Sequence, residues 1–250
     1  MMKKKDLLSI VQRQLATDLN CSADDLNSEK DSFVFTKAKE NIGRRPFPRG
    51  ERHFEMLSMG KAIVVSASPD ILDIVKPALS GKDRDEAFSM PFIYGHALYY
   101  LPDLDHVAPL SPPGGFAYEL VERESIPALY IHEGFRFAIQ YRDDHPRPDV
   151  LVALAKKGGR IVGMAGASDD CARMWQIGIN VLPEYRGHGL AAYLVNRLTR
   201  EILGRGYVPY YGTAHSNIAS QRVAHRAGYY PAWVSSYKGS FEGYELLPTS

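Results

Sequence analysis

The chain has 250 residues, 45% of them apolar, and a net charge of +1 from 30 basic and 29 acidic side chains. That length holds one large domain or two small ones, and the balanced charge supplies no field to draw in nucleic acid or an anionic membrane surface. No apolar run approaches the roughly 20 residues of a membrane span, and Cys21 and Cys171, far apart and outside any C-x-x-C pair, point to neither a zinc site nor an oxidising compartment.

A cytoplasmic protein is therefore expected. Lys3-Lys4-Lys5 before Leu7-Leu8-Ser9-Ile10-Val11 only faintly resembles a signal peptide, because Gln12 and Arg13 break the apolar stretch at once. Oligomeric state is left open, a homodimer included.

In chain order, Leu7, Leu8, Val11 and Leu15 share one face of an amphipathic helix ending near Thr17. Residues 20–31 are polar and acidic and are expected as a loop. Residues 54–57 and 62–65 read as two short strands around a turn at Met59-Gly60. Ser68-Pro69 then reads as an N-cap followed by proline in the first helical position. Ile71, Ile74, Val75 and Leu79 form the apolar face of that helix.

Arg44-Arg45-Pro46-Phe47-Pro48-Arg49 and Arg52 form a basic cluster, an anion site in one reading and a solvated loop in the preferred one. His96, Tyr99, Tyr100 and His106 line a pocket or sit in a core. The Pro/Gly cluster at 108–115 cannot continue a helix or a central strand. It divides the chain into a mixed α/β part, 1–110, and a second part, 116–250.

The second part opens with a strand at 116–121 and a helical segment near 134–141. Residues 150–155 and 160–167 form a hairpin turning at Lys157-Gly158-Gly159. A strand at 175–182 precedes a long helix whose stripe is Leu190, Ala191, Leu194, Val195, Leu198 and Ile202. Gly204 and Gly206 stop it. Further strands follow at 207–213 and 232–238.

The most informative stretch is Arg186-Gly187-His188-Gly189-Leu190-Ala191. A strand runs into a glycine turn that opens a helix. Unpaired backbone N–H groups and the positive end of the helix dipole converge there, which is a phosphate site. Arg186 adds a fixed charge. A P-loop is excluded because no lysine follows the glycines. Gly187-His188-Gly189-Leu190-Ala191-Ala192 formally reads G-x-G-x-x-A, the dinucleotide fingerprint. The next strand, 207–213, however, carries no carboxylate to hold a ribose.

Residues 181–191 (Val-Leu-Pro-Glu-Tyr-Arg-Gly-His-Gly-Leu-Ala) resemble the cofactor motif R/Q-x-x-G-x-G/A of the GCN5-related N-acetyltransferases (GNAT). Residues 217–229, an Asn opening a short helix that ends at Gly228-Tyr229, resemble the family's second signature. The resemblance covers roughly 116–237. It implies an α/β (α+β) fold, a mixed, mostly antiparallel sheet flanked by helices, preceded here by a smaller α/β domain. It implies acetyl-CoA as donor, an amine of a small molecule or peptide as acceptor, and no metal. By resemblance, the amides around Arg186, Gly187, His188, Gly189, Leu190 and Ala191 hold the pyrophosphate. Ile179 and Val181 pair their backbone with the pantetheine arm. Asn217 either contacts the cofactor or caps its helix.

The sequence departs from the pattern in two places. Many members carry a tyrosine acid seven residues after the Asn, where this chain has Ala224. Some use a glutamate base near the start of the motif strand, where residues 171–176 carry no carboxylate. Asp169 and Asp170 are the nearest carboxylates, and His215, just past the following strand, is a second candidate for proton transfer. The leading reading is an acyl-CoA-dependent N-acyltransferase. The alternatives are an acyl-CoA-binding module without chemistry and a nicotinamide-dependent oxidoreductase.

Overall fold

The computed structural model describes residues 2–46 and 52–239. Its elements, in chain order, are α1 (Lys4–Leu19), α2 (Ala23–Leu26), β1 (Phe33–Lys37), β2 (Phe54–Ser58), β3 (Ile63–Ala67), α3 (Pro69–Leu79), α4 (Arg84–Phe88) and β4 (Ile93–Pro102). There follow β5 (Ala117–Glu122), a 3₁₀ helix (Arg123–Leu129), β6 (Asp149–Lys157), β7 (Arg160–Cys171), β8 (Met174–Val181), α5 (Leu190–Gly204), β9 (Val208–Ala214), α6 (Ile218–Arg226) and β10 (Tyr229–Gly239). Contacts group the chain into two compact units, Val11–Tyr99 with Ala232–Ser250, and Met1–Ile10 with Tyr100–Pro231.

In the first unit the strand order is β1-β3-β2-β10-β4. The pair expected around Met59-Gly60 forms as antiparallel β2 and β3, Phe54 opposite Ala67. β1, which the sequence reading passed over, joins parallel to β3. Val11 and Leu15 of α1 and Ile71, Val75 and Leu79 of α3 are buried as their spacing requires. Within the stretch expected as a loop, Ser22 and Asp25 close a capping box around α2, with Asp25 N donating to Ser22 Oγ at 3.1 Å. Four residues show no periodicity, but S-x-x-D is the signature of this box. Ser68 is the N-cap of α3 with Pro69 following it, as expected, but its side chain makes no cap hydrogen bond; its Oγ accepts from His53 N at 2.6 Å.

Over its described part the basic cluster is solvated at Arg52 but not at Arg45. Arg45 is buried and ion-paired with buried Asp18, and Arg52 meets Asp70 at 3.0 Å. Phe47, Pro48 and Arg49 lie outside the described residues. Tyr99 stacks on Trp233 with ring centroids 4.9 Å apart.

The second unit holds the order β9-β8-β7-β6-β5. Every pair is antiparallel except β8 with β9, and α5 packs across β6, β7 and β8. This is the mostly antiparallel sheet flanked by helices that the resemblance implied. The β6–β7 hairpin turns at Gly158 and Gly159, both at positive φ (57° and 82°), the conformation a two-residue primed turn demands. Along α5 the buried stripe runs through Leu190, Ala192, Leu194, Val195, Leu198 and Ile202. Ala191, assigned to it from the sequence, is only half-buried; Ala192 takes that place.

Residues 134–141 form no helix. Gly134 and Tyr141 sit at φ +93° and +58°, and Ala138 N and Ile139 N both return to Phe135 O in a single turn. Phe135, Ala138 and Ile139 are buried there. Buried Asn196 of α5 fixes the Pro/Gly segment: its amide accepts from Leu110 N at 3.2 Å and donates to Ala108 O at 3.0 Å and Ala227 O at 3.1 Å.

Candidate functional site

The site is made by a divergence of two strands. β8 pairs with β7 along its whole length. It pairs with β9 only from Met174↔Val208 to Ile177↔Tyr211. Beyond that point Gly178–Val181 continues without β9, and the backbone groups it turns away from β7 have no strand to pair with among the described residues. An extended ligand carrying amides can lie there as a strand would.

β8 leads into the glycine turn. Gly187 and Gly189 hold φ of +83° and +81°, a region costly for residues with a Cβ. Gly189 is the N-cap of α5 and offers no side chain to it, so the N–H groups of the first turn keep their donors for a ligand. Arg186 is braced by its Nε, which donates to Val181 O at 3.1 Å.

A cleft of about 510 Å³ follows this path. Ile179, Val181, Arg186, Gly187, Gly189, Leu190, Ala191 and Asn217 all border it. His188 does not: its Nδ1 lies 3.0 Å from Arg186 O, and its ring edge meets Phe116. Asn217 caps α6, its Oδ1 accepting from Ser220 N at 3.1 Å, while it also borders the cleft. Arg222 and Arg226 of α6 complete the wall. The sequence reading missed them, although four-residue spacing on a capped helix places both on one face.

A second cleft of about 500 Å³ shares Phe137, Ile179, Tyr211, Asn217 and Ser220 with the first. Tyr211, where β8 and β9 part, closes on Ser220 with 2.6 Å between hydroxyls, and burial pushes its phenol pKa up. The segment 136–140 lies against the sheet because two strands leave room for it. An alanine Cβ at Gly178 would stand 1.7 Å from Phe137 O, and one at Gly166 1.8 Å from Ala138 O.

The model of the acetyltransferase (GNAT) family matches residues 116–229.

This stretch is a GNAT acetyltransferase domain.

Comparison with curated proteins gives no match. Among solved structures, the chain is similar to a GCN5-related N-acetyltransferase-like protein from Streptococcus suis 89/1591, at 19% identity and a TM-score of 0.45 over 72% of each chain. It is also similar to a GNAT-family acetyltransferase from Colwellia psychrerythraea, at 12% identity and a TM-score of 0.48 over 96% of this chain and 98% of that one. A third is AAC(6′)-Iy in complex with the bisubstrate analog CoA-S-monomethyl-acetylneamine, at 19% identity and a TM-score of 0.37 over 47% and 92%.

None of the proton-transfer candidates borders either of these two clefts. His215 is exposed, and its carbonyl accepts from Gln221 Nε2 at 2.6 Å. Asp170 is buried beneath the second cleft. It accepts from Ser168 Oγ at 2.6 Å and from Tyr210, and Arg147 stands 3.6 Å away. Arg147 also donates to Gln176 at 3.1 Å. Asp170 is thus the keystone of a polar floor whose outer members, Arg147, Ser168 and Gln176, face the cleft.

Proposed function

We propose that this protein is an acyl-CoA-dependent N-acyltransferase that moves acetyl from acetyl-CoA to an amine of a small molecule or peptide. The observation carrying this reading is the continuous cleft from the β8–β9 divergence to the glycine turn, with three arginines on its wall. The residues fit the donor. The free edge of Gly178–Val181 suits an amide-bearing arm, and the N-terminus of α5 with Arg186, Arg222 and Arg226 suits phosphates.

Acetyl-CoA supplies an activated thioester. The chain holds the amine beside it, turning a bimolecular encounter into an oriented one. Backbone N–H groups of β8 past Ile177 are the donors available to an oxyanion. We place the reaction in the cytoplasm, which suits the free thiol of Cys21. Among the described residues no helix is long and apolar enough to cross a membrane.

Arg186→Ala tests the donor site. Losing one charge-assisted phosphate contact costs about 1.5–3 kcal/mol, so CoA affinity should fall roughly ten- to a hundredfold. Dephospho-CoA should lose as much, because the contact is to the pyrophosphate. A loss confined to CoA in calorimetry would move Arg186 to the 3′-phosphate.

A second reading, a CoA-binding module without chemistry, is favoured by one observation: Ala224, where many relatives carry an acid, is buried on α6. Release of free thiol from acetyl-CoA across a panel of amines separates the two. Under the transferase reading, His215→Gln should leave turnover within about twofold, far short of the 10²-fold or more expected of a general base. The rise of the rate with pH should then follow the acceptor's own pKa, since the neutral amine attacks, and move when the acceptor is changed.

A further inference from the structure

The second cleft contains a carboxylate that the reaction just described does not use. Asp149 opens β6, is 5% exposed, and borders the cleft. Its Oδ2 is satisfied, accepting from Gln140 N at 2.8 Å and Tyr130 OH at 3.1 Å. Its Oδ1 is buried and has no hydrogen-bond partner among the described residues. A buried anionic oxygen without a donor is costly, and such groups are kept where something supplies the donor. Burial pushes this carboxyl's pKa up, against the pull of the two hydrogen bonds and of nearby His145. A bound cation would relieve that strain on the charge.

The cleft's other charges do not fill the role. Arg147 is engaged by Gln176 and Asp170. The guanidinium of Arg136 lies 4.8 Å from the centre of its neighbour Phe137's ring.

Position then narrows the ligand. Asp149 pairs across β6–β7 with Ser168, and Ser168 across β7–β8 with Gln176. All three border the same cleft. Asp149 is therefore two strands from β8, about 10 Å at the backbone, while the amine that reacts must reach the point where β8 and β9 part. One nitrogen cannot occupy both places.

We propose that the acceptor carries two basic nitrogens, one that is acylated where β8 and β9 part and a second, protonated, that docks on Asp149 Oδ1. The inference rests on the acyltransferase reading for the first nitrogen only. Asp149 is a specificity residue, holding the acceptor without touching the thioester.

The test uses the full-length protein, with 1,5-diaminopentane and 1-aminopentane as probes. Asp149→Asn keeps an oxygen for Gln140 N and Tyr130 OH and puts an amide where Oδ1 was, so the fold should survive. Calorimetry should show the diamine binding the wild type about tenfold tighter or more than the monoamine, the scale of one charge-assisted contact. The variant should lose that preference. In thiol-release assays with acetyl-CoA, KM for the diamine should rise about tenfold in the variant, with kcat within about twofold. Equal binding of the two amines by the wild type, or an unchanged preference in the variant, overturns the anchor. CoA titrated in parallel keeps the two proposals apart: failure to bind CoA overturns the transferase reading, and the amine titrations still judge Asp149.

Discussion

Alanine in place of Gly178 should disturb the second cleft far more than the glycine turn. The added Cβ would overlap Phe137 O at 1.7 Å, and a backbone carbonyl cannot rotate away as a side-chain tip can. The segment 136–140 must lift, and with it go Arg136, Phe137, Ala138 and Gln140, all on the wall of the second cleft. Overpacking of this kind costs about 1–3 kcal/mol or more, so the melting temperature should fall by several degrees. Acceptor KM should rise or turnover fall by about two orders of magnitude, in keeping with the sensitivity of transfer to small misplacements. CoA affinity, measured by calorimetry, should fall by much less than that, because the glycine turn is untouched, although Phe137 borders both clefts and Gly178 opens the free edge of β8. Wild-type kinetics in the alanine variant would show that 136–140 does not shape the acceptor cleft.

Gly189→Val should do the reverse. The nearest atom to a Cβ at 189 is Pro113 Cγ at 3.7 Å, so space is available. The obstacle is the backbone: φ is +81°, and a left-handed conformation costs about 1–2 kcal/mol for a residue with a Cβ, more for a β-branched one. The valine must also stand at the mouth of α5, where phosphate oxygens are to meet the free N–H groups. CoA affinity should drop at least tenfold, with the protein still folded by circular dichroism. Full affinity in a folded variant would sink the assignment of the turn as the donor site.

The glycine turn and the cleft along it were legible in the sequence because their parts are contiguous. Residues 186–191 form one strand–turn–helix unit, and its glycines and arginine are read in order. The hairpin at Gly158-Gly159 and the stripe of α5 were legible for the same reason: each is fixed by local periodicity or a local turn. Ala191 and Ala192 were confused because a one-residue shift on a helix face is beyond what periodicity resolves.

The second cleft was opaque because it is not local. Asp149, Ser168 and Gln176 come from three strands and meet only through register. The turns of 134–141 depend on glycines 166 and 178, which lie dozens of residues downstream. In the N-terminal half, β1 escaped notice because five residues paired to a single parallel neighbour leave little alternation to read. Asp170 drew attention as a carboxylate near the motif strand. Its burial under Arg147 and Tyr210 could not be read from spacing.

The side-chain amide of Asn196 closes on two stretches of chain far apart in sequence, Ala108 with Leu110 on one hand and Ala227 on the other. Neither stretch can fray without stranding the same buried donor and acceptor, so their local opening is one event rather than two. The C-terminal end of α6, the helix that carries Arg222 and Arg226, therefore borrows its protection against exchange with solvent from a proline-rich strap more than a hundred residues upstream of it.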